Sequence, residues 1–243
     1  MILQLFTDFG ADGPYVGQMT AVLLRHAPNI PVVSMLADAP TGNVRASAYL
    51  LAALAQDLPR NHVVVAVVDP GVGSDERLPC ILNADDRWFV GPGNGLCAIV
   101  ARRARHCRWW RITWQPPRLS ATFHGRDLFA PVAAMLARGE APLGVPIPPP
   151  TPGHDWPDDL SEVIYVDHFG NAMTGLRAGS LPSCASLGVA GCRADRIRTF
   201  ADMAPGQLAW LENSLGLAEL VVNRGRASAI RGIGVGAYVT IER

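Results

Sequence analysis

The stretch of sequence that decides the fold runs from residue 63 to residue 77 and is VVVAVVDPGVGSDER. Its first six residues are apolar and mostly β-branched, which predicts a strand buried on both faces in a parallel sheet. Asp69 and Pro70 open a turn that Gly71 and Gly73 allow to be tight. Ligands of open α/β sheets bind at the carboxyl ends of strands, so Asp69 stands where a functional carboxylate is expected. Taken alone, an aspartate in this position more often caps its own turn.

The segments before this strand alternate between strand and helix patterns. Residues 2–6 and 30–36 are apolar runs typical of strands, and residues 15–26 and 44–58 carry apolar side chains at helical spacing. A proline follows each helical segment closely and ends it. This order predicts a mostly parallel sheet with helices on both faces, the α/β class.

Two further ends of predicted elements carry chemical groups. Asp8 follows the strand 2–6, as Asp69 follows the strand 63–68, so two carboxylates are expected at one edge of the sheet. His124 comes shortly before an alanine-rich helix over residues 128–137, with Asp127 near the helix start, where a negative charge is favourable. A lone histidine there is more often a packing or capping residue, and only its neighbours make it a catalytic candidate.

The segment after the central turn contains a predicted hairpin and a basic cluster. Residues 80–82 and 88–90 flank a short polar turn, which indicates a hairpin. A helix is predicted over residues 96–105 and a strand around residues 109–113. Arginines alternate with tryptophans over residues 102–114, a pattern that also occurs in nucleic-acid-binding patches. A solvated helix end beside an edge strand explains it equally well, and the net charge of zero favours that interpretation.

The charge composition excludes several kinds of chemistry. Basic and acidic residues balance at 21 each, so no overall field attracts nucleic acid or a membrane. The sequence contains no lysine, because all the basic residues are arginine. Schiff-base chemistry, a Walker-type phosphate-binding lysine and a lysine base are therefore excluded.

The cysteines and histidines predict neither disulfides nor a metal site. The 5 cysteines are odd in number and scattered, which predicts reduced thiols in a cytoplasmic protein. The 6 histidines lack any paired ligand spacing. The N-terminal sequence is apolar only briefly and is unlike a signal peptide, and no apolar run approaches the roughly 18 residues of a membrane span.

A change of composition divides the chain. Residues 146–160 contain many prolines and predict a semi-rigid linker between an α/β domain, residues 1–145, and a second domain, residues 161–243. The second domain shows short β runs separated by turn residues and no helical periodicity. It is predicted to be a small all-β barrel or sandwich.

Several motifs taken together resemble one family. They are TDFG (7–10), VVDPGVG (67–73), GPGNGL (91–96), TFHGRD (122–127), DHFGN (167–171) and NSLG (213–216). In order and spacing they resemble the S-adenosyl-L-methionine (SAM) hydroxide adenosyltransferases, the SAM hydrolases related to fluorinase and chlorinase. The resemblance implies an N-terminal α/β domain and a C-terminal β-barrel. It also implies a homotrimer that binds SAM between neighbouring subunits and, without a cofactor, hydrolyses it to adenosine and methionine.

The resemblance implies a catalytic triad of aspartate, arginine and histidine around the attacking water. Asp69 and His124 stand at the matching positions. The family pattern has the arginine seven residues after the aspartate, where this sequence has Glu76, and the arginine follows as Arg77. We assign the role to Arg77.

The resemblance also implies a set of substrate-binding residues. Asp8 is expected to accept hydrogen bonds from both ribose hydroxyls, as one carboxylate can. Asn94 is expected on the nucleophile's side of the pocket, although Gly93 replaces the acidic residue associated with that loop. The methionine and adenine ends of SAM are assigned to Asp167, Phe169, Asn171, Ser214, Asn223 and the backbone of Arg224. By itself, DHFGN indicates an Asx-type turn between two strands.

Two other functions stay open at this point. With its arginine displaced, the chain could bind SAM or adenosine with little turnover. A SAM-dependent halogenase fits less well, because halogenases lack the histidine of HGRD and carry an extra loop in the first domain.

Overall fold

The computed structural model describes residues 1–74 and 78–242, which form two compact units, Met1–Trp156 and Pro157–Arg243. The strands of the first unit are β1 Leu3–Thr7, β2 Val32–Leu36, β3 Val63–Val67, β4 Pro79–Ala84, β5 Arg87–Pro92, β6 Cys107–Ile112 and β7 Gly144–Ile147. Its helices are α1 Pro14–His26, α2 Val44–Leu54, α3 Ala98–Arg103 and α4 Ala130–Ala137, and a π-helical turn, Gly125–Phe129, leads into α4.

The first unit contains a mixed sheet in the order β2-β1-β3-β5-β4-β6-β7. β1 pairs in parallel with β2 and β3, and β3 pairs in parallel with β5. The remaining pairs, β5 with β4, β4 with β6 and β6 with β7, are antiparallel. The predicted α/β class is confirmed. The parallel part is confined to one half of the sheet, because a hairpin joins β4 to β5 and needs no crossover helix.

Helices cover both faces of this sheet, as predicted. Every residue of β1 and β3 is buried. Leu5 and Val65 pack with α1 and α4 in one core, which also includes Val90 of β5. The preceding residue, Phe89, lies beside α2 and α3 instead. Successive side chains of a strand point to opposite faces, so the two helix pairs lie on opposite sides of the sheet.

The predicted hairpin is present between β4 and β5. Its turn residues, Asp85 and Asp86, have φ angles of 48° and 63°. Two consecutive residues with positive φ are typical of the type I′ turn, whose twist matches that of the flanking strands. Aspartate tolerates this left-handed conformation better than most residues.

The proline-rich segment differs from the predicted linker over residues 146–160. Pro146 and Ile147 lie in β7, which pairs with β6 at the edge of the first sheet. An edge strand can include proline, because one side of it needs no ladder hydrogen bond. Arg102 of α3 then donates hydrogen bonds to the carbonyl oxygens of Gly153 and His154, at 2.9 Å each, and to that of Trp156. Residues 146–156 therefore belong to the first unit.

The second unit is a seven-stranded sheet. Its strands are β8 Leu160–Val166, β9 Ala172–Arg177, β10 Ser186–Val189, β11 Cys192–Arg196, β12 Leu208–Glu212, β13 Leu217–Val222 and β14 Val239–Glu242. The order is β14-β10-β11-β12-β13-β9-β8, and a bridge between Glu162 of β8 and Tyr238 brings the two edges together. The predicted all-β, barrel-like domain is confirmed. β9 and β11 were not predicted, because their short sequences lack a clear apolar alternation.

All five cysteines are free thiols, namely Cys80, Cys97, Cys107, Cys184 and Cys192. Burial raises the pKa of Cys80 and of Cys97 to about 12, so both thiols stay protonated at neutral pH. None of the helices in the described part of the chain has the length and the apolar run needed to cross a membrane.

The contacts of Arg102 lead to a prediction about the proline-rich segment. Replacing Arg102 with alanine removes the donors to the backbone of residues 153–156 and should cost roughly 1–3 kcal/mol of unfolding free energy. Limited proteolysis should then cut residues 148–158 faster than in the wild type. Arg105→Ala, which removes an exposed arginine two residues beyond α3, is the matched control. Equal cleavage rates in the two variants would contradict the assignment of this segment to the first unit.

Candidate active site

A cavity of about 600 Å³ lies at the carboxyl ends of β1 and β3 and is lined in part by Asp8, Asp69 and His124. Thr7 and Val67 are partners in the parallel pairing of the two strands. Asp8 and Asp69 follow them closely, so both carboxylates leave the sheet at the same edge. His124 reaches the cavity from the loop before the π-helical turn. These three predicted residues therefore share one hollow.

The carboxylate of Asp8 is held by a backbone contact. Its Oδ2 atom accepts a hydrogen bond from the amide of Gly42 at 2.9 Å. Thr41 and Gly42 line the same cavity. The Asp8 side chain is thus oriented by the loop that precedes α2, and a carboxylate can accept further hydrogen bonds from a ligand.

Asp69 both caps its turn and lines the cavity. Its Oδ1 atom accepts a hydrogen bond from the amide of Gly71 at 3.3 Å, as the capping interpretation requires. The same side chain is part of the cavity wall. A carboxylate has two oxygens and can accept several hydrogen bonds, so the capping and the functional interpretations are compatible.

The loop that carries Asp69 is packed against the segment that leads to His124. Gly73 has a φ angle of +83°, and a Cβ atom built on it would lie 2.5 Å from the carbonyl oxygen of Ala121. Glycine is needed here both for the backbone conformation and for the close approach. This contact holds the two sides of the cavity at a set distance.

Three aromatic rings form part of the cavity wall near His124. Phe9, Tyr15 and Phe123 contact one another edge to face, with centroid separations of 5.8, 5.8 and 5.4 Å. All three line the cavity. Such a wall offers aromatic faces and edges to a flat or apolar part of a ligand.

Arg126 also lines the cavity, and its role was not predicted. Its Nε and Nη2 atoms bond both carboxylate oxygens of Asp127, at 2.6 and 2.9 Å, and Nη1 donates to Oε1 of Gln18 at 3.0 Å. The guanidinium also lies over the Phe123 ring, with its Cζ atom 4.9 Å from the ring centroid. The hydrogen bonds from Arg126 hold the pKa of the Asp127 carboxyl below its usual value. The adjacent Arg126 and Asp127 can be seen in the TFHGRD motif, whereas the partner Gln18 is far away in sequence.

Asn94 lies beside the strand end that carries Asp69 and is held by two backbone contacts. Its Nδ2 atom donates to the carbonyl oxygen of Val68 at 2.9 Å, and its Oδ1 atom accepts from the amide of Leu96 at 3.2 Å. Over the described residues, the lining of the cavity does not include Asn94. Asn94 therefore supports the residue next to Asp69, and its expected place on the nucleophile's side of the pocket stays a prediction. Glu76 and the predicted catalytic Arg77 lie outside the described residues.

In the second unit, Asp167, Phe169 and Asn171 share the turn between β8 and β9. The Asp167 carboxylate accepts hydrogen bonds from the amide and from Nδ2 of Asn171, at 2.8 and 3.1 Å. The Asx-type turn that the sequence indicates is therefore present. The Phe169 ring is 72% exposed and contacts His168 edge to face.

The other predicted binding residues of this unit lie around β13. Ser214 is in the turn before β13, whereas Asn223 and Arg224 follow its last residue. Asn223 donates from Nδ2 to the carbonyl oxygen of Met203 at 2.7 Å, and Arg224 has a φ angle of 55°. The six-residue strand separates the two ends by roughly 17–20 Å, so Ser214 and Asn223 do not contact a common atom.

A buried carboxyl group that was not predicted lies between these residues. Glu219 of β13 is 6% exposed, and its Oε1 atom accepts a hydrogen bond from Nδ2 of Asn213 at 3.3 Å. Burial raises the pKa of Glu219, and the nearby Asp167 carboxylate adds to the rise. Within the described ranges, no group of histidine, cysteine, aspartate and glutamate side chains is arranged to hold a metal ion.

An α/β unit with two carboxylates and a histidine in a cavity at the strand ends, followed by a barrel-like β unit, defines a two-domain protein built to bind a small molecule. A family model for the SAM hydroxide adenosyltransferase N-terminal domain matches residues 3–145, and the C-terminal domain model matches residues 161–240. The chain belongs to this family.

Similar proteins include three curated relatives, each named (R)-S-adenosyl-L-methionine hydrolase. The relative from Salinispora arenicola is 40% identical over 97% of this chain and 95% of its own length. Those from Salinispora tropica and Thermus thermophilus are 39% and 36% identical, over 93% and 97% of this chain and 92% and 97% of their own lengths.

Two solved structures have the same fold. An uncharacterized conserved protein from Thermotoga maritima superposes with a TM-score of 0.89 at 28% identity, over 100% of both chains. A conserved hypothetical protein from Thermus thermophilus superposes with a TM-score of 0.78 at 34% identity, over 99% of both chains.

The close approach of Gly73 to Ala121 can be tested by substitution. Gly73→Ala should lower the free energy of unfolding by about 1–3 kcal/mol, because alanine is strained at positive φ and its Cβ would collide with a carbonyl oxygen. Gly17→Ala in α1 is the control, because a Cβ there meets no atom within 4 Å. Denaturant unfolding of both variants measures the difference. A Gly73→Ala protein as stable as the wild type would show that this contact does not hold the two loops.

Proposed function

We propose that this protein hydrolyses S-adenosyl-L-methionine to adenosine and L-methionine by attack of water, as hydroxide, at the ribose C5′ atom. The observation that carries the proposal is the convergence of Asp8, Asp69 and His124 on one cavity. Membership in the SAM hydroxide adenosyltransferase family supports it, as do the names of the relatives. Those names specify the (R) configuration at sulfur, so we expect the (R) epimer to be the substrate.

The reaction requires positioning and a proton acceptor more than leaving-group activation. In the displacement, the oxygen–C5′ bond forms while the C5′–sulfur bond breaks, and its electron pair leaves with the neutral thioether of methionine. Asp8 holds the ribose hydroxyls, and the side chains of Asp69 and His124 orient the water and accept its proton. The aromatic wall of Phe9, Tyr15 and Phe123 limits the access of other water to the reacting atoms.

The remaining parts of the proposal concern the assembly. We propose a homotrimer in which the first unit of one subunit and the second unit of its neighbour share a SAM molecule. Asp167, Asn171 and Ser214 then bind the methionyl end, and Phe169, Asn223 and the Arg224 backbone bind the adenine. The exposed ring of Phe169 is compatible with a ligand-binding role. We further propose that the protein is cytoplasmic and needs no cofactor, because SAM is the substrate.

Asp69 is the first residue to test. Asp69→Ala should lower the rate of adenosine formation by roughly 10²–10⁴-fold, the range for loss of a group that handles the proton. Binding of SAM should persist, because Asp8 and the aromatic wall remain. Chromatographic measurement of adenosine release and calorimetry of SAM binding separate the two effects. Asp57→Ala, an exposed aspartate beyond α2, is the control, and wild-type turnover in the Asp69 variant would exclude the proposed role.

The position of the catalytic arginine is tested by a neighbouring pair of variants. Arg77→Ala should reduce turnover strongly, because a guanidinium can hold the aspartate and the developing hydroxide together. Glu76→Ala should turn over SAM at nearly the wild-type rate. Single-turnover rates of adenosine formation decide between them. If Glu76→Ala is the sensitive variant, the role does not belong to Arg77.

The alternative function, a SAM- or adenosine-binding protein with little turnover, is favoured by the displacement of the arginine from position 76 to position 77. Both functions predict SAM binding, so affinity cannot distinguish them. Incubation of the purified protein with (R)-SAM at high protein concentration does so. Release of adenosine supports the hydrolase, whereas binding without release supports the alternative. Repeating the incubation with chloride or fluoride, and looking for a 5′-halogenated adenosine, tests the halogenase.

A further inference from the structure

A second cavity, of about 340 Å³, adjoins the first and is unexplained by the binding of SAM. The turn after Asp69 forms one side of it, with Gly71, Gly73 and Ser74. The opposite side is formed by the segment after β6, including Thr113, Trp114 and Leu119. This volume would hold roughly ten water molecules at the density of liquid water.

The two cavities share part of one wall. Among the described residues, three line both cavities: Asp69, His124 and Phe129. In the proposed reaction, two of these residues, Asp69 and His124, accept the proton of the attacking water. Asp69 and His124 therefore stand between the substrate cavity and a second volume on their other side.

The geometry of the displacement determines on which side of C5′ the attacking water must stand. A nucleophile displaces a sulfonium group from the side of C5′ that is opposite to the sulfur atom, and it must be aligned within about 3–3.5 Å of the carbon. SAM in the first cavity displaces the water that the cavity held. A water molecule at Asp69 and His124 then needs a source other than the space that the substrate fills.

We propose that the second cavity supplies the nucleophilic water to Asp69 and His124 while the first cavity is occupied by substrate. This inference rests on the proposed SAM hydrolysis. In each turnover, one water molecule passes between the two side chains, its oxygen bonds to C5′, and its proton is accepted by the His124 and Asp69 pair. Methionine leaves with the electron pair of the broken C5′–sulfur bond.

The described lining of the second cavity includes polar groups that water can contact. Ser74, Thr113 and Gln115 contribute hydroxyl and amide groups. The other described lining residues are mostly apolar, such as Leu78 and Ile112. A water molecule held in a protein cavity needs about two to four polar partners, which the three polar side chains can supply together with the carboxylate and the imidazole of the shared wall.

The test is to fill the second cavity without touching the first. Leu119 is 47% exposed, lines the second cavity and does not line the first. Leu119→Trp should lower kcat for adenosine release from (R)-SAM at least tenfold. The Kd for adenosine, which occupies only the first cavity, should stay within twofold of the wild-type value. Arg118→Trp adds the same side chain at the adjacent exposed residue, which lines neither cavity, and should keep kcat near wild type.

A second filling variant guards against a local folding defect. Thr113→Trp places an indole at another lining residue of the second cavity and should show the same loss of kcat with unchanged adenosine Kd. An unchanged kcat in both folded filling variants would overturn the inference. A parallel loss of adenosine affinity and kcat would also overturn it, because the second cavity would then be part of the substrate site. The wild-type protein tests the proposed function separately, since absence of adenosine release from it would refute hydrolysis itself.

Discussion

The candidate site depends on the parallel pairing of β1 with β3. The register that places Leu3 beside Val63 and Thr7 beside Val67 brings Asp8 and Asp69 to the same edge of the sheet. A slip by one residue would turn each side chain to the opposite face and separate the two carboxylates. Every residue of both strands is buried, so a slip would also move the polar Gln4 and Thr7 of β1 to the opposite face of the sheet.

A polar contact at the other end of the strands is consistent with the same register. Gln4 is nearly buried and lies 3.2 Å from the ring of His62, between its Nε2 atom and the histidine Nδ1 atom. Beyond the strand ends, Asn94 holds the carbonyl group of Val68 and Gly73 meets the backbone of Ala121. The loops that carry Asp69 and His124 are thus supported by backbone contacts, which is how a site keeps its geometry before a ligand arrives. Asp69 and His124 line both cavities, so these two loops border the second cavity as well as the first.

The second unit has its predicted binding residues on turns of a barrel-like sheet. Asp167 and Asn171 bond one another, so the turn is ordered by the same atoms that the family resemblance assigns to the substrate. Glu219 adds a buried carboxyl group close to Asp167, and burial is the main cause of its raised pKa, with a further contribution from the Asp167 carboxylate.

The sequence by itself determined the strands and helices of the parallel half, the β4–β5 hairpin, the change to an all-β second unit and the meeting of Asp8, Asp69 and His124. These features follow from short-range patterns of burial and turn chemistry and from the rule that parallel strands end at a common edge. Only the tertiary structure decided that residues 146–156 join the first unit, that Asn94 serves the backbone, that Arg126 reaches Gln18, and that a second cavity lies behind Asp69 and His124. Each of these features depends on contacts between residues that are far apart in the chain. Local patterns of side chains and turns do not predict such contacts, because they form only when the sheet and its loops pack together.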